Sequence, residues 1–113
     1  MSEPVFLCRL ADLPPSGTKG FVLGSGTNRL DLFVIWRDGI LRAYLNDCPH
    51  AHTPLETRPD RFLDQSGKYL LCTTHGARFT VAEGKCISGP CRGKSLTPLP
   101  VTIRDSEIFL LAA

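Results

Sequence analysis

The stretch "NDCPHAHT", Asn46 to Thr53, places Cys48, His50 and His52 within five residues, and "LCTTHGARF", Leu71 to Phe79, supplies Cys72 and His75. The first loop reads Cys48-Pro49-His50 and the second Cys72-Thr73-Thr74-His75. Each brings one thiolate donor and one imidazole donor. One such loop alone reads as a buried core thiol beside a solvated histidine. Two matched loops in a short chain point to a shared metal site.

The residues around these loops set the fold class. Ahead of the first, "LDLFVIW" and "ILRAYL" flank Arg37-Asp38-Gly39. Asp-Gly tolerates the positive φ of a tight turn, so this is a hairpin. In "ILRAYL" Ile40, Arg42 and Tyr44 face one side and Leu41, Ala43 and Leu45 the other, which predicts a half-buried strand. "KYLLC" is a strand entering the second loop. "RFTV" and "KCIS" form a hairpin around Ala82-Glu83-Gly84, and "LPVTIR" and "IFLLA" another around Asp105-Ser106. "VFLCRL" and "FVLG" read as strands joined by the turn-rich "DLPPSGTKG". "LETRPDRFLDQSG", between the two loops, reads as an irregular polar excursion over the surface. No helical periodicity of useful length and no repeat is present. The expected architecture is all-β, a small antiparallel sandwich or barrel, with both loops at strand ends, where binding residues gather.

At 113 residues, 42% apolar, the chain fits one domain, 1–113, with a modest core. A net charge of +2 argues against nucleic acid as the main partner. No apolar run is long enough to cross a bilayer, so no membrane partner is expected. The start, "MSEPVFLCRL", lacks a basic segment followed by an apolar stretch, which predicts a cytoplasmic protein. The cysteines are Cys8, Cys48, Cys72, Cys86 and Cys91. An odd count without a leader argues against a disulfide framework. Cys8 reads as a small core residue, Cys86 and Cys91 as reduced thiols, and Trp36 as a packed aromatic.

Cys-x-His with Cys-x-x-His is not zinc-finger spacing. It is the arrangement in which two cysteines hold one iron of a [2Fe-2S] cluster and two histidines the other. Two neutral imidazoles in place of two thiolates make such a cluster easier to reduce, and their second nitrogens can titrate. Mononuclear zinc on the same four residues is the rival reading. His52 reads as a solvated loop residue, since four ligands complete two irons.

On these residues the sequence resembles the Rieske iron–sulfur family. The matches are "CPH" at 48–50, "CTTHG" at 72–76, Phe79 at an aromatic position, Gly84 in the next hairpin, Gly89-Pro90 as the family's proline loop, and Leu96. The likeness is good over a cluster-binding subdomain, about 46–95, and loose over the base strands. It implies a [2Fe-2S] cluster bound by Cys48, His50, Cys72 and His75, with Gly76 and Gly89 allowing close backbone approach and Pro90 excluding water. The respiratory branch adds a disulfide where this chain has Thr53 and Thr74. That branch also has hydroxyl donors where this chain has Ala77 and Phe79. Fewer hydrogen bonds to sulfur lower the potential, to roughly −150 mV to near zero.

The resemblance further implies an electron carrier with no catalysis of its own. Such a carrier passes electrons from an NAD(P)H-dependent reductase to a terminal oxygenase. A small redox subunit of a larger enzyme, such as a nitrite reductase, is the alternative, and a zinc-stabilised binding module the third reading. From Cys48 to Lys94, Arg58, Arg61, Lys68, Arg78, Lys85, Arg92 and Lys94 face Glu56, Asp60, Asp64 and Glu83. This balance fits either a mildly basic face for an acidic redox partner or an ordinary mixed surface.

Overall fold

Leu32, Phe33, Val34 and Ile35 are consecutive, large and apolar, and all four are fully buried. A continuous apolar run suits a strand covered on both faces. In the computed structural model this strand is the hinge of the architecture. The structure describes residues 4–24, 26–49, 55, 62–72, 76–90 and 92–111.

Among the described residues nine strands follow one another: β1 (Val5–Arg9), β2 (Thr18–Leu23), β3 (Leu30–Arg37), β4 (Ile40–Leu45), β5 (Tyr69–Cys72), β6 (Ala77–Thr80), β7 (Cys86–Ser88), β8 (Val101–Arg104) and β9 (Glu107–Leu110). They form three antiparallel three-stranded sheets, ordered β1-β9-β8, β2-β3-β4 and β5-β6-β7. Only two single-turn 3-10 helices, Leu10–Asp12 and Gly26–Asn28, interrupt them among the described residues. The free edge of β4 continues into the segment before β8: Leu45 N donates to Thr97 O and Leu99 N to Ala43 O, both at 2.9 Å.

The period of two in β3 divides its side chains between two cores. Phe33 and Ile35 join Tyr44, Cys48, Leu55, Phe62, Leu70, Cys72, Ala77, Phe79, Cys86 and Leu96. Leu32 and Val34 join Cys8, Ala43, Ile108 and Leu110. The sheet β2-β3-β4 is thus a central layer. β4 keeps the expected alternation over Ile40–Ala43, with Ile40 and Arg42 exposed and Leu41 and Ala43 packed inward, and departs from it at Tyr44, which is buried in the other core. Cys8 is the small core residue expected, 5% exposed. Its thiol pKa is raised, chiefly by burial and next by the Asp12 carboxylate, with Lys19 opposing.

The hairpins form where the turn residues stand. Asp38 and Gly39 take φ of +52° and +78°, and Asp105 and Ser106 take +51° and +64°. β2 begins earlier than the apolar "FVLG", because Thr18–Leu23 pairs in register with Leu30–Ile35 and Gly17 O accepts from Trp36 N. The surface excursion expected between the loops is corrected over its described part. Leu55 and Phe62 are fully buried, Phe62 stacks on Phe33 with ring centroids 4.3 Å apart, and Leu63 bridges to Leu70.

Candidate metal centre

Both candidate loops are closed at their base by hydrogen bonds that the local sequence supplies. Ahead of the first, Asn46 N donates to Asp31 O and Asp47 N to Leu45 O, each at 2.9 Å. The Asn46 side chain then reaches across the loop, its Oδ1 accepting from Leu55 N at 2.9 Å. An asparagine oxygen takes the place of a backbone acceptor there, and buried Leu55 fixes the far end. The second loop leaves β5 at Cys72 and rejoins β6 at Ala77, its register partner. Gly76 N donates to Cys72 O at 2.9 Å across its neck.

Cys48 and Cys72 are 1% and 0% exposed and belong to the same buried core. Neither is in a disulfide. His50 and His75 lie outside the described residues, as do His52, Thr53, Thr74 and Cys91. Among the described residues no group of three His, Cys, Asp or Glu forms a metal site, so Cys86 does not join the two cysteines as a ligand. Its Sγ donates instead to Ser88 O at 3.3 Å.

A third segment closes this end of the molecule. Cys86 N donates to Lys94 O at 2.9 Å, Leu96 N to Gly84 O at 2.8 Å, and Lys85 bridges to Ser95. The loop between them turns at Gly89, where φ is +97°. A Cβ there would sit 2.8 Å from Ala77 Cα. The strap therefore lies against the residue paired with Cys72. This backbone contact refines the expected role of Gly89, whose close approach is to β6. Ser88, just before it, keeps a buried hydroxyl with no partner among the described residues, a group that in folded proteins usually has a water or other ligand. Tyr44 fastens the next hairpin from below, its hydroxyl donating to Val81 O at 2.7 Å. The Asn46–Leu55 clasp and the Tyr44 anchor escaped the sequence reading. An asparagine directly before a ligand loop is the signal for the first, and nothing local marks the second.

The donor chemistry fits a metal cluster. Two soft sulfur donors stand at the ends of two clasped loops, sheltered from water. A cavity of about 360 Å³ lined by Ser16, Thr18, Arg37, Phe62 and Asp64 holds neither cysteine. Its polar groups are already engaged: Ser16 with Thr18, Arg37 with Gly67 O, and Asp64 with Ser66 and Arg78. Among the described residues no helix is long and apolar enough to cross a membrane.

Comparison with known proteins agrees. The model of the Rieske [2Fe-2S] domain matches residues 3–104. No curated protein sequence matches the chain. Among solved structures, the ferredoxin of carbazole 1,9a-dioxygenase from Nocardioides aromaticivorans IC177 superposes with a TM-score of 0.74 at 23% identity, over 96% of this chain and 97% of that one. A chain in the complex of reduced oxygenase and oxidized ferredoxin of carbazole 1,9a-dioxygenase gives 0.73 at 22%, over 95% and 91%. A putative small subunit of an NADPH nitrite reductase gives 0.67 at 20%, over 98% and 100%. These likenesses share the all-β fold described above. The family match spans nearly the whole chain and implies one [2Fe-2S] cluster: the chain belongs to the Rieske [2Fe-2S] domain family.

Proposed function

We propose that this protein is a Rieske-type ferredoxin, a cytoplasmic electron carrier between an NAD(P)H-dependent reductase and a terminal oxygenase. The observation that carries the reading is the pair of buried cysteines, Cys48 and Cys72, at the ends of two clasped loops in a chain of this family. In this reading Cys48 and Cys72 hold one iron and His50 and His75 the other, within a cluster-binding part of about residues 46–95 in a single domain. When bound, the cluster supplies a one-electron couple. The chain's own residues hold the loops in place and keep water from the thiolates. Asn46 and Gly76 close the loops, and the strap carrying Gly89 and Pro90 covers them. Ala77 and Phe79 offer no hydroxyl to sulfur, which keeps the potential low.

The full-length likeness to a ferredoxin described in complex with an oxygenase supports the carrier role. The likeness to a nitrite reductase small subunit supports a second reading, a redox subunit of a larger enzyme. Copurification separates the two: a stable large subunit favours the second, and a protein isolated alone favours the first.

The cluster itself is tested on anaerobically prepared protein by iron and acid-labile sulfide analysis and by paramagnetic resonance after dithionite reduction. The expected result is two irons and two sulfides per chain, as a [2Fe-2S] cluster requires, with a rhombic signal of low average g. His50→Cys or His75→Cys should move that signal towards the all-cysteine type. An unchanged signal removes those histidines from the ligand set.

A further inference from the structure

We infer that the strap from Lys85 to Ser95 is the docking rim for a redox partner whose own electron-entry face is acidic. This rests on the ferredoxin reading above and adds to it the charge of the partner.

Between Glu83 and Asp105 the sequence has four cations, Lys85, Arg92, Lys94 and Arg104, and no carboxylate. Three of these, Lys85, Arg92 and Lys94, stand on the strap, and all three are exposed. Among the described residues no carboxylate pairs with any of them; the ion pairs seen are Arg9–Asp12, Arg29–Asp31 and Arg78–Asp64. Elsewhere Arg78 is held by Asp64, and in the sequence between the two loops Glu56 and Asp60 are matched in number by Arg58 and Arg61.

The strap presents these cations from a fixed frame. Its outgoing strand β7 and its returning limb are locked by Cys86 N to Lys94 O, Leu96 N to Gly84 O and the Lys85–Ser95 bridge. It is also set beside the candidate centre: Gly89 packs on Ala77, which pairs with Cys72. Gly89 and Pro90 are exposed as well, so this apex is open to a partner. Unpaired like charges on an ordered loop repel one another and give the fold nothing. They give an acidic partner a directed approach, and steering of this kind raises association rates by roughly ten- to a thousandfold at low salt.

The test uses cluster-loaded protein reduced with dithionite and one acceptor in two charge forms, native basic cytochrome c and cytochrome c made acidic by lysine succinylation. Stopped-flow rates are measured from low to high ionic strength. The acidic form should react at least about tenfold faster at low salt, with the advantage shrinking as salt screens it. Arg92→Glu with Lys94→Glu should reverse the preference. Lys19→Glu with Lys68→Glu changes net charge equally away from the strap and should leave it in place. Equal effects of the two double variants, or no preference in the parent protein, would overturn the proposal. Iron, sulfide and resonance measurements on the same samples report separately on the reading beneath it. Samples lacking the cluster overturn both, whereas loaded samples indifferent to strap charge overturn the docking rim alone.

Discussion

Gly89 and Gly76 share a left-handed backbone, with φ of +97° and +74°, yet their surroundings differ. Among the described residues a Cβ at Gly76 meets nothing within 4 Å, whereas one at Gly89 runs into the backbone of Ala77 at 2.8 Å. In the cluster-free protein Gly76→Ala should therefore cost the conformational penalty, about 1 kcal/mol. Gly89→Ala adds a clash that β6 cannot relieve without moving, and should cost about 2–3 kcal/mol. Urea unfolding measures both, and equal losses would show that the strap does not lean on β6 in solution. Asp64 makes a second residue-scale case. Hydrogen bonding from the Ser66 hydroxyl lowers its carboxyl pKa most, burial opposes, and Arg78 and the Tyr69 backbone add to the lowering. A carboxylate with a depressed native pKa contributes stability above its ordinary value, about 4, and loses it as pH falls through the lower native value. Asp64→Asn should thus be less stable than the parent at neutral pH, and the gap should close as the pH drops below about 4. Paired urea midpoints at a series of pH values measure that gap; one that persists unchanged in acid would mean that the carboxylate charge is not its source.

Hairpin turns are the elements in which sequence and backbone agree most directly, and one of them contains a mismatch. Asp38-Gly39 puts glycine at the second left-handed position, while Asp105-Ser106 puts serine there, at φ +64°. A Cβ in that region is disfavoured. Ser106 contributes its carbonyl, which accepts from Leu10 N at 2.8 Å, a bond that glycine keeps. Ser106→Gly should therefore stabilise the protein by about 0.5–1 kcal/mol, read as a higher urea midpoint. The same comparison explains how far the sequence is readable. Turns such as Asp38-Gly39 depend on neighbouring residues, so β3, β4, β6, β7, β8 and β9 were legible from local pattern. The burial of Cys48 and Cys72 in one core agrees with the paired cysteine–histidine pattern of the two loops, whose histidines lie outside the described residues. What was hidden depends on distant contacts. Tyr44 reaches Val81 and is buried in the core of the candidate centre, while Phe62 stacks on Phe33. No window of sequence around any of these residues contains its partner.

At the scale of the whole molecule, β3 separates a core that holds Cys48 and Cys72 from one that holds neither. This division makes overall stability and cluster retention separable. Leu32 and Leu70 are both fully buried, the first in the cysteine-free core and the second in the core of the candidate centre. Leu→Ala at either site removes the same atoms and should cost about 2–5 kcal/mol. Leu70 precedes Cys72 on β5 and pairs with Phe79 on β6, so a void there loosens the strand that carries a candidate ligand. Leu32 faces Cys8, Ile108 and Leu110 across the central layer. Chelator-driven bleaching reads local opening around the cluster, and urea unfolding reads the global transition. Both variants should lower the urea midpoint, and Leu70→Ala alone should speed bleaching well beyond what its lost stability explains. If the two variants bleach at rates that follow only their stabilities, the layers open together as one cooperative unit, and the cysteine core has no independent hold on the cluster.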